Sequence, residues 1–503
     1  VRKVLTRSPS RGSRVALVRN RANGSRWQQV NAAVEIATGE FTAVVTIGDQ
    51  LPPHALFMVA KEVGAHPNAD IVYSDDDKID ETGRRYEPNF KPDWNPDLML
   101  SHNLIGQLAL YRTSLLKTID GMRAGLEGSE DYDLALRAVA NMNSGKIRHI
   151  PHVLCHRWSP DVGRDHTAKA QRSARQAVRD FLEAQGIHAE IAPEPGGHRI
   201  IFPLPGPAPL VSLIIPTKDA VNLLRVCVSS VLEKTTYPSY EILVVDNQSE
   251  KRETRAYLDE IARDPRIRVL PYDRPYNFAA LNNFAARLAH GPLLCFLNND
   301  MEVISADWLE EMVRHAVRPE IGPVGAMLYY PDDTIQHAGI VIGLNGTADH
   351  AHKLRPRNDP GYCSRARLTQ NVSAVTAACM VVRRELFESV NGFDADHFGI
   401  AYNDVDLCLR LWEQGYRTLW TPFAELYHYE SATLGAPGNP QRRRRFEEES
   451  QRLLTRWNKY VKHDPFYNPN LSKLVTSFEL AFPPAERYPW FSRDSLTAHQ
   501  RPC

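Results

Sequence analysis

Three polar clusters in this 503-residue chain carry residue types that can do chemistry, and each stands where an apolar run meets polar sequence. Asn298-Asn299-Asp300 closes the run 292–297. Acidic and amide oxygens there can hold a hard divalent cation, which keeps waters and substrate phosphates among its ligands. Such an ion neutralises the charge that develops on a departing diphosphate. A polar β-turn uses the same residue types. Asn403-Asp404-Val405-Asp406 opens a helical segment over 407–412. One carboxylate there suits a helix N-cap, but the run holds more acid than a cap needs. A carboxylate so placed can act as general base on a sugar hydroxyl. For an inverting displacement it must face the side opposite the leaving group. His428, in Leu426-Tyr-His-Tyr-Glu430, ends a further strand. A lone histidine is usually structural, although neutral imidazole is also a common metal ligand.

The elements that must position these clusters follow from periodicity. Residues 211–216, 241–246, 267–270 and 292–297 are short apolar runs of the kind that form buried strands. Helical patterns over 223–234 and 277–289 separate them. The alternation predicts an α/β fold, a Rossmann-like and mostly parallel sheet with helices on both faces. Ligands of such sheets bind beyond the carboxyl ends of the strands, where the polar clusters stand. Proline and glycine crowd residues 193–210, which reads as a linker.

The chain also echoes itself. Asn283 precedes Asp300 by 17 residues and Asn31 precedes Asp49 by 18, each across an Ala-rich helix and an apolar run. Tyr402-Asn-Asp-Val-Asp-Leu-Cys-Leu-Arg410 echoes Ser129-Glu-Asp-Tyr-Asp-Leu-Ala-Leu-Arg137. His428 follows Asp404 by 24 residues, and His156 follows Asp131 by 25. Three ordered matches predict two copies of one domain, the first lacking a counterpart of residues 211–246.

Seven ordered motifs carry a family resemblance: Ile214-Ile-Pro-Thr-Lys-Asp219, Val244-Val-Asp-Asn-Gln-Ser249, Tyr276-Asn-Phe-Ala-Ala-Leu-Asn-Asn283, Phe296-Leu-Asn-Asn-Asp300, Gly392-Phe-Asp394, Asn403-Asp-Val-Asp406 and Tyr427-His428. Through them residues 211–435 resemble a glycosyltransferase family 2 domain of the GT-A fold. Gln336-His-Ala-Gly339 and Asn371-Val-Ser-Ala-Val-Thr-Ala377 are similar to bacterial enzymes of O-antigen, capsule and rhamnose-containing polysaccharides. The resemblance implies an inverting transfer from a nucleotide-sugar donor to a glycan or lipid-linked acceptor; the alternatives are a catalytically decayed glycan-assembly scaffold and a sugar nucleotidyltransferase. It implies that Pro216, Thr217 and Asp219 line the nucleotide pocket, with Asn283 and Asn299 also on the donor, and that Asp246 contacts base or ribose. Asp300 and His428 would hold Mg²⁺ or Mn²⁺, and Asp404 would be the catalytic base. Asn298 and Asn403 depart from the family's acidic motifs.

Residues 1–192 resemble the same family as a partial, degenerate copy. Its acids, including Tyr73-Ser-Asp-Asp-Asp-Lys-Ile-Asp80, can equally serve as cap and turn residues. Phe90-Lys-Pro-Asp-Trp-Asn-Pro-Asp97 again resembles the polysaccharide subgroup. Residues 436–503 read as a helical and extended arm.

Composition excludes broad alternatives. With 43% apolar and 24% charged residues the chain is globular, not collagenous or coiled coil. Its 60 basic and 60 acidic residues sum to zero, which argues against nucleic acid as partner. No run approaches the ~20 apolar residues of a membrane span. The seven cysteines lack CxxC spacing and read as reduced thiols of a cytoplasmic protein. Basic clusters at 1–26 and 442–445 offer peripheral contact with anionic lipid, although Glu447 to Glu449 can balance the second.

Overall fold

The computed structural model describes residues 24–142, 144–158, 164–429 and 440–485. The basic residues Arg2 to Arg21 and Cys503 lie outside them. The chain divides into two compact units, one of residues 1–88 and 105–181, the other of 89–104 and 182–503.

In the first unit, α1 (Arg26–Ile36), β1 (Phe41–Ala43), α2 (Ala55–Ala65), β2 (Ile71–Ile79) and β3 (Arg85–Asn89) lead towards the excursion 89–104, which contains α3 (Pro96–Ser101). β4 (Leu110–Arg112), α4 (Glu130–Ala140) and β5 (Ile147–Trp158) follow. The sheet order is β1-β4-β2-β3, with β5 on β2. β4 runs antiparallel to β1 and β2, whereas β2 and β5 are parallel. Asp75, Asp76 and Asp77 lie inside β2, not in a turn or cap. All three are buried, held by His149 at 2.9 Å, Arg157 at 3.1 Å and His156 at 2.6 Å. Buried carboxylates survive only with such partners.

In the second unit, the first part of residues 193–210 enters the hairpin of β6 (Glu190–Glu194) and β7 (Gly197–Ile201), paired antiparallel, and residues 202–210 carry no helix or strand. Then come β8 (Val211–Thr217), α5 (Val221–Lys234), β9 (Tyr240–Asp246), α6 (Arg252–Ile261), β10 (Ile267–Pro271), α7 (Phe278–Leu288), β11 (Leu293–Leu297), β12 (Met301–Val303), α8 (Trp308–Ala316) and β13 (Ile321–Tyr329). β14 (Ile335–His337), β15 (Ile340–Ile342), β16 (Ala348–His350), β17 (Gln370–Asn371), β18 (Cys379–Arg383), α9 (Asn403–Glu413), β19 (Arg417–His428) and α10 (Pro440–Arg456) complete the elements that matter here. The main sheet runs β10-β9-β8-β11-β18-β13-β19-β12.

Its first half, β10 to β11, is parallel as the sequence predicts. Its second half is mixed, because β18 runs antiparallel to both β11 and β13, and β12 antiparallel to β19. The mostly parallel expectation therefore holds for one half only; β12 and β18 are reached by short returns rather than helical crossovers. Apolar side chains from both sheet faces form two cores, one including residues of α5, α6 and α8 and the other residues of α7 and α9.

The excursion 89–104 is an integral part of this second unit. The Asn95 side chain donates to the Asn371 carbonyl and accepts from the Asn371 amide. Asp97 accepts from the Asn371 side chain at 2.7 Å and pairs with Arg318 at 2.7 Å and Arg417 at 3.4 Å. Two of the three segments that resemble the polysaccharide subgroup, 90–97 and 371–377, thus bind each other.

Candidate active site

The polar clusters converge because the strands bearing them end together. Thr217 ends β8, and the Asn299 amide donates to its hydroxyl at 3.0 Å, joining two motifs far apart in sequence. β12 pairs antiparallel with β19 in a register that sets Met301 opposite His428, so Asp300 faces the imidazole. Asp300 Oδ1 lies 3.2 Å from His428 Nε2, and both residues are buried. His428 Nδ1 meets the Gln336 side-chain amide at 2.7–2.9 Å. Gln336 therefore holds the ring in place from behind, as partners of metal-ligating histidines do.

Asp404 approaches from the other wall. Tyr402 takes a left-handed conformation (φ 59°) and opens α9, so the chain turns sharply just before the acid. Asp404 Oδ2 accepts from the Ala377 amide at 3.1 Å, and Oδ1 from the Val405 amide at 2.8 Å. Burial raises its pKa despite those donors. A carboxylate so raised is better matched to proton abstraction near neutral pH. The second acid of the motif has a different task. Asp406 is fully buried and binds Arg410 at 2.7 Å, Arg456 at 2.9 Å and the Trp457 indole at 3.0 Å. It is structural. Asn403, also buried, donates to the Ile400 carbonyl and steadies the same turn.

These groups share one cavity of about 760 Å³, within the range of small-ligand pockets. Pro216, Thr217, Asn299, Asp300, Asp404 and His428 line it. Three sequence-named residues stand off its wall. Asp219, in a left-handed conformation, gives its carboxylate to the amides of Glu250 and Lys251 at 2.8 Å. Asp246 accepts from the Ser249 amide at 3.1 Å. Asn283 exchanges hydrogen bonds with the Phe393 backbone, and a Cβ at Gly392 would overlap its side chain. The cavity also takes in Lys218, Asn247, Tyr276 and Tyr402, which lie in the quoted segments without an assigned role, together with Asp349, His350 and Arg445. Arg445 comes from α10, beyond the expected domain end at 435.

A divalent cation suits part of this wall. Asp300 offers an anionic oxygen and His428 a nitrogen 3.2 Å away. Among the described residues no cluster of three or more His, Cys, Asp or Glu side chains is placed to hold a metal. The fit is that of an ion completed by substrate phosphate and water, as for Mg²⁺.

Residues 212–390 match the family model described as glycosyl transferase family 2. The chain is 42% identical over 492 residues to the protein y4gI of Sinorhizobium fredii, covering 96% of this chain and 54% of the relative. It is 37% identical over 491 residues to the O-antigen biosynthesis protein RfbC of Myxococcus xanthus, covering 94% of this chain and 37% of the relative. The chain thus spans about half, or less, of the length of these relatives. A solved mannosyltransferase of Pyrobaculum calidifontis, in complex with GDP-Man and Mn²⁺, is 19% identical with a TM-score of 0.39, covering 53% of this chain and 69% of that one. The family 2 match over residues 212–390 supports glycosyl transfer as the activity of that segment.

Proposed function

We propose that this glycosyltransferase is inverting and moves a sugar from a nucleoside-diphosphate donor to a hydroxyl of a growing polysaccharide or lipid-linked glycan. One observation carries the reading: Asp404, its pKa raised by burial, shares a single cavity with Asp300, His428, Asn299 and Thr217. The donor nucleotide lies along Pro216, Thr217 and Asn299. Asp246 pairs in register with Thr217 and precedes Asn247, both on the cavity wall, which supports its contact with base or ribose. Asp300 and His428 hold Mg²⁺ or Mn²⁺, which when bound offsets charge on the diphosphate. Asp404 takes the proton of the acceptor hydroxyl. The acceptor oxygen bonds to the anomeric carbon as the bond to the diphosphate oxygen breaks. With a lipid-linked acceptor the enzyme works in the cytoplasm at the inner face of the membrane. No described helix is long and apolar enough to cross it.

The first unit is read as an incomplete second copy. Its β1-β4-β2-β5 pairings have the same directions as β11-β18-β13-β19. Asn31 grips the Met122 backbone as Asn283 grips Phe393. Arg137 binds Asp133 and the carbonyls of Ile119 and Gly121, as Arg410 binds Asp406 and those of Val390 and Gly392. Asp131, the counterpart of Asp404, is neutralised by Arg26 at 2.7 Å, which supports a non-catalytic copy. Incubation with a panel of nucleotide sugars and Mn²⁺, following released nucleoside diphosphate, tests the proposal. Release from none of them, with or without glycan acceptors, would contradict it.

A further inference from the structure

Helix α10 follows the matched family domain, yet its inward face holds the segment that presents Asp404. Arg445, Glu449, Leu453 and Trp457 recur at i, i+4, i+8 and i+12, one stripe of a helix. Glu449 is buried, only 2% exposed, but it does not face another acid or a metal. Its carboxylate accepts from three successive backbone amides, Gly399 at 3.2 Å, Ile400 at 3.4 Å and Ala401 at 2.6 Å. These belong to the turn that ends at Tyr402, immediately before Asn403-Asp404. Left without an acceptor, the buried Gly399 amide and its half-buried neighbours would be costly. Arg445 pairs with Glu449 at 3.2 Å and lines the catalytic cavity. It lies so close to Gly399 that a Cβ there would overlap its guanidinium. Tyr402 is held from the same helix, by Ser450 at 3.3 Å and by Phe446 with ring centroids 5.6 Å apart. Past Asp404, Asp406 is tied to Arg456 and Trp457 at the end of that helix. Asp404 is thus fixed by α10 from both sides along the chain.

From this we propose that α10 is part of the catalytic apparatus, with Glu449 as a positioning residue that sets the orientation of Asp404 through the 399–401 amides. This rests on the reading of Asp404 as the base. The neighbouring pairs Arg443–Glu447 and Arg444–Glu448 have the same spacing but stand exposed. They supply the control, since surface pairs of that kind contribute little.

The test uses the full chain, a panel of nucleotide sugars with Mn²⁺, and release of nucleoside diphosphate as the readout. Glu449→Ala, and Glu449→Gln as the shape-preserving variant, should lower kcat by about 10- to 100-fold, the scale of a displaced catalytic group. The donor KM and the thermal shift given by UDP or GDP with Mn²⁺ should stay near wild type, and Arg444→Ala should change neither. Amide exchange over 399–405 should quicken in Glu449→Ala whether or not a productive donor is found. Glu449→Ala added to Asp404→Asn should slow turnover no further than Asp404→Asn alone. Unchanged kcat, or unchanged exchange at 399–405, would overturn the proposal; so would parallel losses of kcat, donor affinity and melting temperature, which mark general loosening. If Asp404→Asn turns over like wild type, the base reading itself fails. If only Glu449→Ala does, the positioning role alone falls.

Discussion

Replacing Asp97 by alanine should cost the second unit about 3 kcal/mol, although Asp97 lies far from the catalytic motifs in sequence. The side chain is 3% exposed and serves Arg318, Arg417 and Asn371 at once. Removing one partner of a buried ion pair costs roughly 3–5 kcal/mol, because the remaining charge stays buried and uncompensated. Here the lower end applies, since Arg318 and Arg417 keep Glu320 at 2.7 and 3.3 Å. In a unit of this size that corresponds to a melting temperature lower by roughly 4 °C. Burial works against the charged form, but Arg318 and Arg417 hold the Asp97 carboxyl well below the usual carboxylate range. Its folded pKa is depressed, so its contribution is present above the unfolded value of about 3.9 and is lost as pH falls below it. The gap between variant and wild type should therefore be flat from about pH 5 to 8 and narrow under about pH 4. Thermal and urea unfolding followed by tryptophan fluorescence reads both effects. Asn371→Ala should be strongly non-additive with Asp97→Ala, because the two share hydrogen bonds. A melting temperature within about a degree of wild type, against the scale above, would refute the claim that residues 89–104 are a structural part of the transferase unit.

Three further outcomes follow from the site. Gln336→Ala should weaken Mn²⁺ binding by about 10- to 100-fold, the usual effect of losing the partner behind a metal-bound imidazole; Mn²⁺ titration by electron paramagnetic resonance measures it. His428→Ala should remove most of the extra thermal stabilisation that Mn²⁺ adds to bound UDP or GDP, measured by differential scanning fluorimetry. Burial raises the Asp404 pKa, so activity should fall on the acid side at a pH above the ordinary carboxylate value of about 3.9. The same sign makes Asp404 stabilising only while protonated, so its charge costs stability at neutral pH. Asp404→Asn should then melt higher than wild type at pH 7–8 while losing turnover, and pH–rate and pH–melting series would show both.

Much of the site could be read from sequence because its signals are local. A strand that ends in Thr217, Asn299–Asp300 or His428 announces itself by an apolar run that stops, and the sheet does the gathering. What could not be read lies in partners chosen across the sequence. Asp406 has the same residue type as Asp404, but only Arg410, Arg456 and Trp457 reveal it as structural. Asp219 and Asn283 match family motifs, yet their polar atoms are used on nearby backbone. Glu449 stands on a helical stripe and Gln336 in a quoted segment, but neither pattern names the partners on which their importance rests, three amides and a ring distant in the chain. The excursion 89–104 was hidden for the same reason, since an Asn–Asn exchange across 276 positions leaves no pattern in either segment.

The most direct test of the account is transfer by Asp404→Asn. With a productive donor and acceptor, turnover should fall by about 10²- to 10⁴-fold, the usual contribution of a general base, while UDP or GDP with Mn²⁺ binds as it does to wild type. Transfer at the wild-type rate by that variant would contradict the central claim that Asp404 activates the acceptor.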